Sequence, residues 1–273
     1  MADDLTPPDP RLAAVLTDLR AECAALDALV APLDPVSWAT PTPAPGWTVA
    51  HQIAHLAWTD ESAYRAVADP EGFARAAAAV VGEGRVEGYV DAAAADGARL
   101  AAPDLLARWR AARDDLTQAL AAATAGTKIP WFGPPMNAVS LATARLMETW
   151  AHGEDVAAAL GVTREPSARL RHIAYLGTRT RAFSFAVRGL PAPDADVRVE
   201  LTGPDGTLWT FGPDDAPERV SGPALDFCLL VTRRRHRDDL AVTADGPGAD
   251  RWLDLAQAFA GPPGADPART GTR

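Results

Sequence analysis

From Asp9 to Gly161 the apolar residues return every three or four positions in four long stretches, and the breaks between them fall on prolines and glycines. A chain patterned in this way must bury one stripe of each helix against the others. Asp9 is placed to cap a helix starting at Pro10, whose inner face carries Leu12, Val15, Leu16, Leu19, Cys23, Leu26 and Leu29. Proline-rich Pro41–Pro45 breaks the chain, and Thr48 can then cap a second helix that turns Ile53, Leu56, Ala57, Tyr64 and Val67 inward until Asp69-Pro70 ends it. Glu71–Leu100 is alanine-rich and interrupted by glycine, a pattern of short helices without readable boundaries. Pro103 opens a third long helix with Leu105, Leu106, Trp109, Leu116 and Leu120 on one side. The prolines of Ile129–Asn137, IPWFGPPMN, exclude a regular element and predict a structured loop. Asn137 or Ser140 caps the fourth helix, which carries Leu141, Leu146, Trp150, Val156 and Leu160 and stops at Gly161. Four such helices predict an antiparallel bundle.

A further helix is predicted over Ser167–Val187, and beyond Pro191 the period changes. Val197–Leu201 and Thr207–Phe211 alternate with period two around Asp205-Gly206, which reads as a hairpin. A helical pattern over Ala224–Arg234, a strand near Leu240–Thr243 and a helical pattern over Ala249–Ala260 complete a small α+β unit. The expected organisation is therefore a bundle over 1–165, a connecting helix over 166–190, an α+β domain over 191–261 and a fraying tail over 262–273.

Twenty-six basic against thirty-six acidic side chains give a formal charge of −10, which opposes a general grip on nucleic acid or on an anionic membrane. No apolar run reaches the roughly 20 residues that span a bilayer, and MADDLTPPDP lacks a signal-peptide pattern, so a cytoplasmic protein with a small-molecule partner is expected. Cys23 and Cys228 are far apart and form no metal or redox motif; both read as reduced core thiols. GEGRVEG at Gly82–Gly88 has the wrong glycine spacing for a dinucleotide fingerprint. Oligomeric state is left open.

The chemistry-bearing residues cluster in two helices. His51 and His55 stand four apart near the start of the second helix, and Glu148 and His152 have the same spacing in METWAHGEDV on the fourth. A histidine from one helix and a Glu/His pair from its neighbour can meet across a packed interface about 8–10 Å wide. Two imidazoles, one carboxylate and an open position form the donor set of a catalytic zinc. The alternative reading is a core imidazole bonded to a carbonyl and an ordinary Glu/His surface pair. Against it, Glu148 and His152 flank Trp150 in an apolar stretch where an unpaired carboxylate is costly. Asp155, three residues after His152, is spaced to orient that imidazole.

GWTVAHQIAHLAW at Gly46–Trp58, followed by ARLMETWAHGEDVAAALG at Ala144–Gly161, resembles the DinB-like metal-binding domain of the mycothiol-dependent maleylpyruvate isomerase superfamily. The resemblance implies a DinB-like four-helix bundle in which His55, Glu148 and His152 hold a divalent metal, zinc in most members. His55 is chosen over His51 because it lies in the His-Leu-Ala part of the motif, which leaves His51 as a helix-start residue or a support for the ligands. The C-terminal unit resembles more loosely the sterol-carrier-like α+β domain of related proteins, through Gly222–Gly246. In the isomerase an arginine of that domain contributes to activity, which implies such a role for Arg233 or Arg234, although cations at a helix C-terminus also have a plain electrostatic reason. The implied activity is that of a metal-activated small thiol, mycothiol, acting in isomerisation or S-transfer at a site between the domains. A metal-stabilised carrier or sensor of an apolar or acyl ligand, a metal-hydroxide hydrolase and a metal-free helical scaffold are the rival readings.

Overall fold

The computed structural model describes residues 9–82 and 88–269; the chain before Asp9, residues 83–87 of the GEGRVEG stretch and the last four residues of the tail lie outside these. The chain forms two compact units, Met1–Thr163 and Arg164–Arg273. In the first, α1 (Pro10–Val30), the one-turn α2 (Pro35–Trp38), α3 (Val49–Ala68), α4 (Pro70–Gly82), α5 (Tyr89–Gly97), α6 (Ala102–Ala121) and α7 (Ala138–Leu160) follow one another. Helices α1, α3, α6 and α7 form the bundle: α3 packs along α6 and α7, and α1 along α7 and α6. Leu26, Ile53, Leu56, Leu105, Leu116, Leu120, Leu141 and Leu146 are fully buried. The two short helices α4 and α5 pack on α3 and fill the passage to α6.

The helix boundaries follow local chemistry. Asp9 accepts from the Arg11 backbone N–H at 2.9 Å, and Asn137 rather than Ser140 caps α7, its Oδ1 accepting from the Ser140 N–H at 2.8 Å. α7 ends at Gly161, whose φ of +67° is the left-handed conformation of a helix stop, with Val162 N–H returning to the Ala157 carbonyl at 2.9 Å. Tyr64 departs from the expected inner face and is 39% exposed. The buried small side chains at that level are Ala63 and Ala66, and they let α6 close on α3. The larger ring is left beside Ala112 and Asp115 at the seam.

One polar interaction crosses the apolar core. Arg145 Nε of α7 donates to Asp60 Oδ1 of α3 at 2.8 Å, and both side chains are almost wholly buried. Burial pushes the Asp60 carboxyl above its usual range even though Arg145 pulls the other way. Asp60 Oδ2 and Arg145 Nη2 have no hydrogen-bond partner among the described residues, so neither group tolerates loss of the other.

The second unit contains α8 (Leu170–Arg179), α9 (Arg181–Ala186), β1 (Val197–Thr202), β2 (Leu208–Phe211), β3 (Glu218–Pro223), α10 (Ala224–Val231), a 3₁₀ turn (Arg237–Asp239), β4 (Thr243–Asp245) and α11 (Pro247–Leu255). Its sheet has the order β2-β1-β3-β4; β1 and β2 form the expected antiparallel hairpin with Leu201 opposite Trp209. β3 was not expected. It runs parallel to β1 and antiparallel to β4, and its glycine and terminal proline hide it from a pattern search. Gly222 is required there: a Cβ would lie 2.7 Å from the Ala241 carbonyl oxygen. The single helix expected over 167–187 is two, because the chain turns at Thr180, whose hydroxyl donates back to the Leu176 and Gly177 carbonyls at 3.1 Å each. α10 stops short of Arg234 because Arg233 turns left-handed at φ +56° and the Arg234 N–H closes on the Leu229 carbonyl at 2.8 Å. α11 stops at Leu255 because Ala256 is extended, and the Ala258 N–H then bonds to the Val231 carbonyl at 2.8 Å. The tail segment 265–269 is tied back by Arg233 to Asp266 and by Arg269 to Asp238.

Arg145→Met is expected to lower unfolding stability by about 3–5 kcal/mol, because it leaves Asp60 buried without its cation. Adding Asp60→Asn should restore part of that loss. Chemical denaturation of the two variants checks this; a double variant no more stable than Arg145→Met alone would remove the ion pair from the account.

Candidate metal centre

The site begins at the N-terminus of α3. Thr48 ends the preceding loop, and its backbone N–H donates to His51 Nδ1 at 3.3 Å while its hydroxyl lies 2.9 Å from the same nitrogen. His51 is thus the helix-start residue, with one ring nitrogen committed to the cap. One turn further on, His55 points into the interface with α7 and meets Glu148 and His152.

His55 Nε2 lies 3.5 Å from Glu148 Oε2, and His152 Nε2 lies 3.1 Å from the same oxygen. One ligand atom from each residue can be chosen so that all lie within 4.8 Å of one another. Donors held about 2.0–2.2 Å from a tetrahedral ion stand about 3.3–3.6 Å apart, so the two separations to Glu148, 3.5 and 3.1 Å, are close to those of a divalent-metal site. Both imidazoles are buried, whereas the Glu148 side chain keeps 22% exposure, giving the cluster a route to solvent. Burial alone would raise the Glu148 pKa, but hydrogen bonds from His152 and then His55 hold it well below the usual carboxylate range.

A directed chain of hydrogen bonds fixes the His152 tautomer. The Thr42 hydroxyl donates to the Trp47 carbonyl at 3.0 Å, so its oxygen accepts from Gln52 Nε2 at 2.9 Å. The Gln52 carbonyl oxygen is thereby turned toward His152 Nδ1, which donates to it. With a proton on Nδ1, Nε2 is the ring atom turned to the Glu148 carboxylate. Two electron-rich atoms 3.1 Å apart need a cation between them, either a second imidazole proton or a metal ion. This is the positioning that ligand histidines receive from a neighbouring carbonyl. Asp155 Oδ2 stands 4.0 Å from the same Nδ1, so Gln52 and not Asp155 makes the close contact. Gln52 was missed in the sequence; its signal was a fully buried amide on the face of α3 that also carries His55.

Two indoles frame the ligands. Trp47 stacks on His152, with ring centroids 6.0 Å apart and planes 16° apart, and lies 5.4 Å from His55. Its Nε1–H donates to Asp91 of α5 at 2.9 Å. Trp58, one turn after His55, also packs against that ring at 6.0 Å.

Arg233 and Arg234 belong to the second unit. The guanidinium of Arg233 donates to Asp266 Oδ1 at 2.7 Å and to the Ala265 carbonyl at 3.2 Å; Arg234 Nη1 donates to the Thr232 carbonyl at 2.7 Å. A cavity of about 290 Å³ beside Arg233 is lined by alternating arginines and aspartates, including Arg237 and Asp254, which pair with each other. The thiols take no part in the cluster: burial pushes Cys23 up to about 12 and raises Cys228 further.

Comparison with known proteins shows the family and the fold. The family model for the mycothiol maleylpyruvate isomerase N-terminal domain matches residues 19–157, and a model described as wyosine base formation matches residues 193–245. Two uncharacterized proteins of Mycobacterium tuberculosis, from two strains, are each 55% identical over 249 residues, covering 91% of this chain and 96% of their own. Crystal structures of the mycothiol-dependent maleylpyruvate isomerase and of one of its mutants superpose with a TM-score of 0.58 at 18% and 17% identity. Each covers 87% of this chain and 95% of its own, and they establish a shared fold.

His152→Ala should remove most of the bound divalent metal and leave the far-UV helical signal intact, whereas Gln52→Leu should weaken metal affinity about 10–100-fold. Elemental analysis and competition with a chromogenic chelator check both. Stoichiometric metal in His152→Ala would dismiss the centre.

Proposed function

Because the chain belongs to the mycothiol maleylpyruvate isomerase N-terminal domain family, we propose that it is a divalent-metal enzyme in which a small thiol, mycothiol, acts on an electrophilic small molecule. The observation that carries this reading is the convergence of His55, Glu148 and His152 from two helices, with one ligand atom of each within 4.8 Å of the others. Zinc suits a donor set of two imidazoles and one carboxylate.

When bound, the ion supplies positive charge that favours the deprotonated form of a thiol at neutral pH. The chain's own residues do the rest. Gln52 holds His152 in the tautomer that offers Nε2, and Glu148 contributes the negative charge that retains the cation. Trp47 and Trp58 pack against the buried His55 ring and keep bulk water from it. Neither cysteine can act as the nucleophile, since both are buried and their thiols are held protonated. The attacking sulfur must therefore come from a dissociable thiol. Reversible addition of that thiol to an activated double bond permits rotation and gives cis–trans isomerisation; addition without return gives S-transfer. Of the two arginines expected to hold an anionic group, Arg233 would have to exchange Asp266 for it.

Cobalt-substituted protein tests the thiol. Saturating mycothiol should add a sulfur-to-cobalt charge-transfer band in the near ultraviolet and shift the visible bands. An unchanged spectrum would overturn thiol use while leaving the metal centre standing.

A further inference from the structure

Trp58 does more than cover His55. Its far edge meets two further rings: Phe132, stacked at 5.8 Å with planes 26° apart, and Tyr89, edge-on at 5.5 Å. Phe132 in turn packs edge-on against Phe73 at 5.1 Å and Trp131 at 5.2 Å, and Phe73 and Trp131 stack on each other with planes 6° apart. These five rings come from α3, α4, the first residue of α5 and the loop before α7. They form one continuous aromatic surface that begins on a residue of the metal cluster.

The loop is built to present its two rings. Reciprocal backbone hydrogen bonds between Ile129 and Met136, at 2.7 and 3.0 Å, close the IPWFGPPMN segment into a short clasp, and its prolines restrict the backbone between them. Ile129 is buried and anchors the clasp, while Phe132 remains 43% exposed at its tip. An exposed phenylalanine in a clasp closed by its own backbone, resting on four other rings, is an unfilled contact surface rather than a piece of core.

Two arginines of the bundle are already paired. Arg145, one turn before Glu148, is held by Asp60, and Arg108 is held by Glu61 through two hydrogen bonds of 2.6 and 2.7 Å. The acidic groups around the cluster are Glu148, Asp91 and Asp155. His55, whose ring touches both Trp47 and Trp58, has a buried Nδ1 with no hydrogen-bond partner among the described residues, so the wall adjoins the cluster at a polar atom left unsatisfied.

We propose that the wall formed by Trp58, Tyr89 and Phe132 binds a flat, uncharged, aromatic or quinone-like group of the substrate and lays it beside the metal cluster. The proposal names a substrate class for the site described above and rests on that site, but not on the use of a thiol. A planar ring gains stacking contacts on such a surface that a puckered ring of equal hydrophobicity cannot make.

The test uses metal-loaded full-length protein without any thiol, titrated with 2-naphthol and, separately, with its saturated counterpart decahydro-2-naphthol, followed by calorimetry. 2-Naphthol should bind at least about tenfold more tightly than the saturated alcohol, and Phe132→Ala should abolish most of that preference with metal content unchanged. Phe132 is exposed, so its truncation does not threaten the fold, and Tyr175→Ala, an exposed ring of the second unit, serves as the control that should leave binding unaltered. Equal affinity for the two alcohols, or a preference that survives Phe132→Ala, would overturn the proposal. Because no thiol is present, failure here is separate from failure of the cobalt experiment.

Discussion

The buried pair Asp60–Arg145 is the constraint on which the geometry of the first unit rests. An apolar helix interface can slide by a turn at modest cost, since one leucine resembles another. A charged pair sealed in the core cannot, because a shift strands both groups in low dielectric. Asp60 lies five residues after His55 on α3, and Arg145 three residues before Glu148 on α7. Holding one pair in register therefore holds the next layer, where an imidazole and a carboxylate face each other 3.5 Å apart.

That second layer is also ordered by direction. Hydrogen-bond donors and acceptors alternate from the Trp47 carbonyl through Thr42 and Gln52 to His152, and each member leaves the next only one role. The consequence is electrostatic: Nε2 of His152 is turned to the carboxylate of Glu148 at 3.1 Å, a contact that holds either an imidazole proton or a cation. Trp47 takes part twice, through its carbonyl at the head of the chain and through its ring stacked over the imidazole the chain orients.

The two flanks of the centre differ in character. On one side a polar relay orients His152 toward Glu148; on the other, aromatic side chains run outward from His55 to the loop before α7. A cluster of ligand-type side chains with a polar support on one flank and aromatic rings on the other combines directed hydrogen bonding with a dry approach.

Much of this was legible in the sequence because it depends on near neighbours. The caps at Asp9, Thr48 and Asn137, the stop at Gly161 and the hairpin turn at Asp205-Gly206 each involve residues within a few positions, where residue type nearly dictates conformation. The Glu148/His152 pair was legible for the same reason, since a helix places i and i+4 together. The sequence alone therefore determined the bundle, the α+β unit and the residue types available for a metal. Only the tertiary structure decided that Gln52 supports His152 from 100 residues away, that Asp91 holds Trp47 across 44, and that β3, with its glycine and proline, becomes an interior strand of the sheet. It also turned Tyr64 outward and gathered Trp58, Tyr89 and Phe132 into one wall. The reason is physical: local backbone preferences are set by a few adjacent side chains, whereas the partner of a buried polar atom or an aromatic face is whichever distant group the packed helices bring to it.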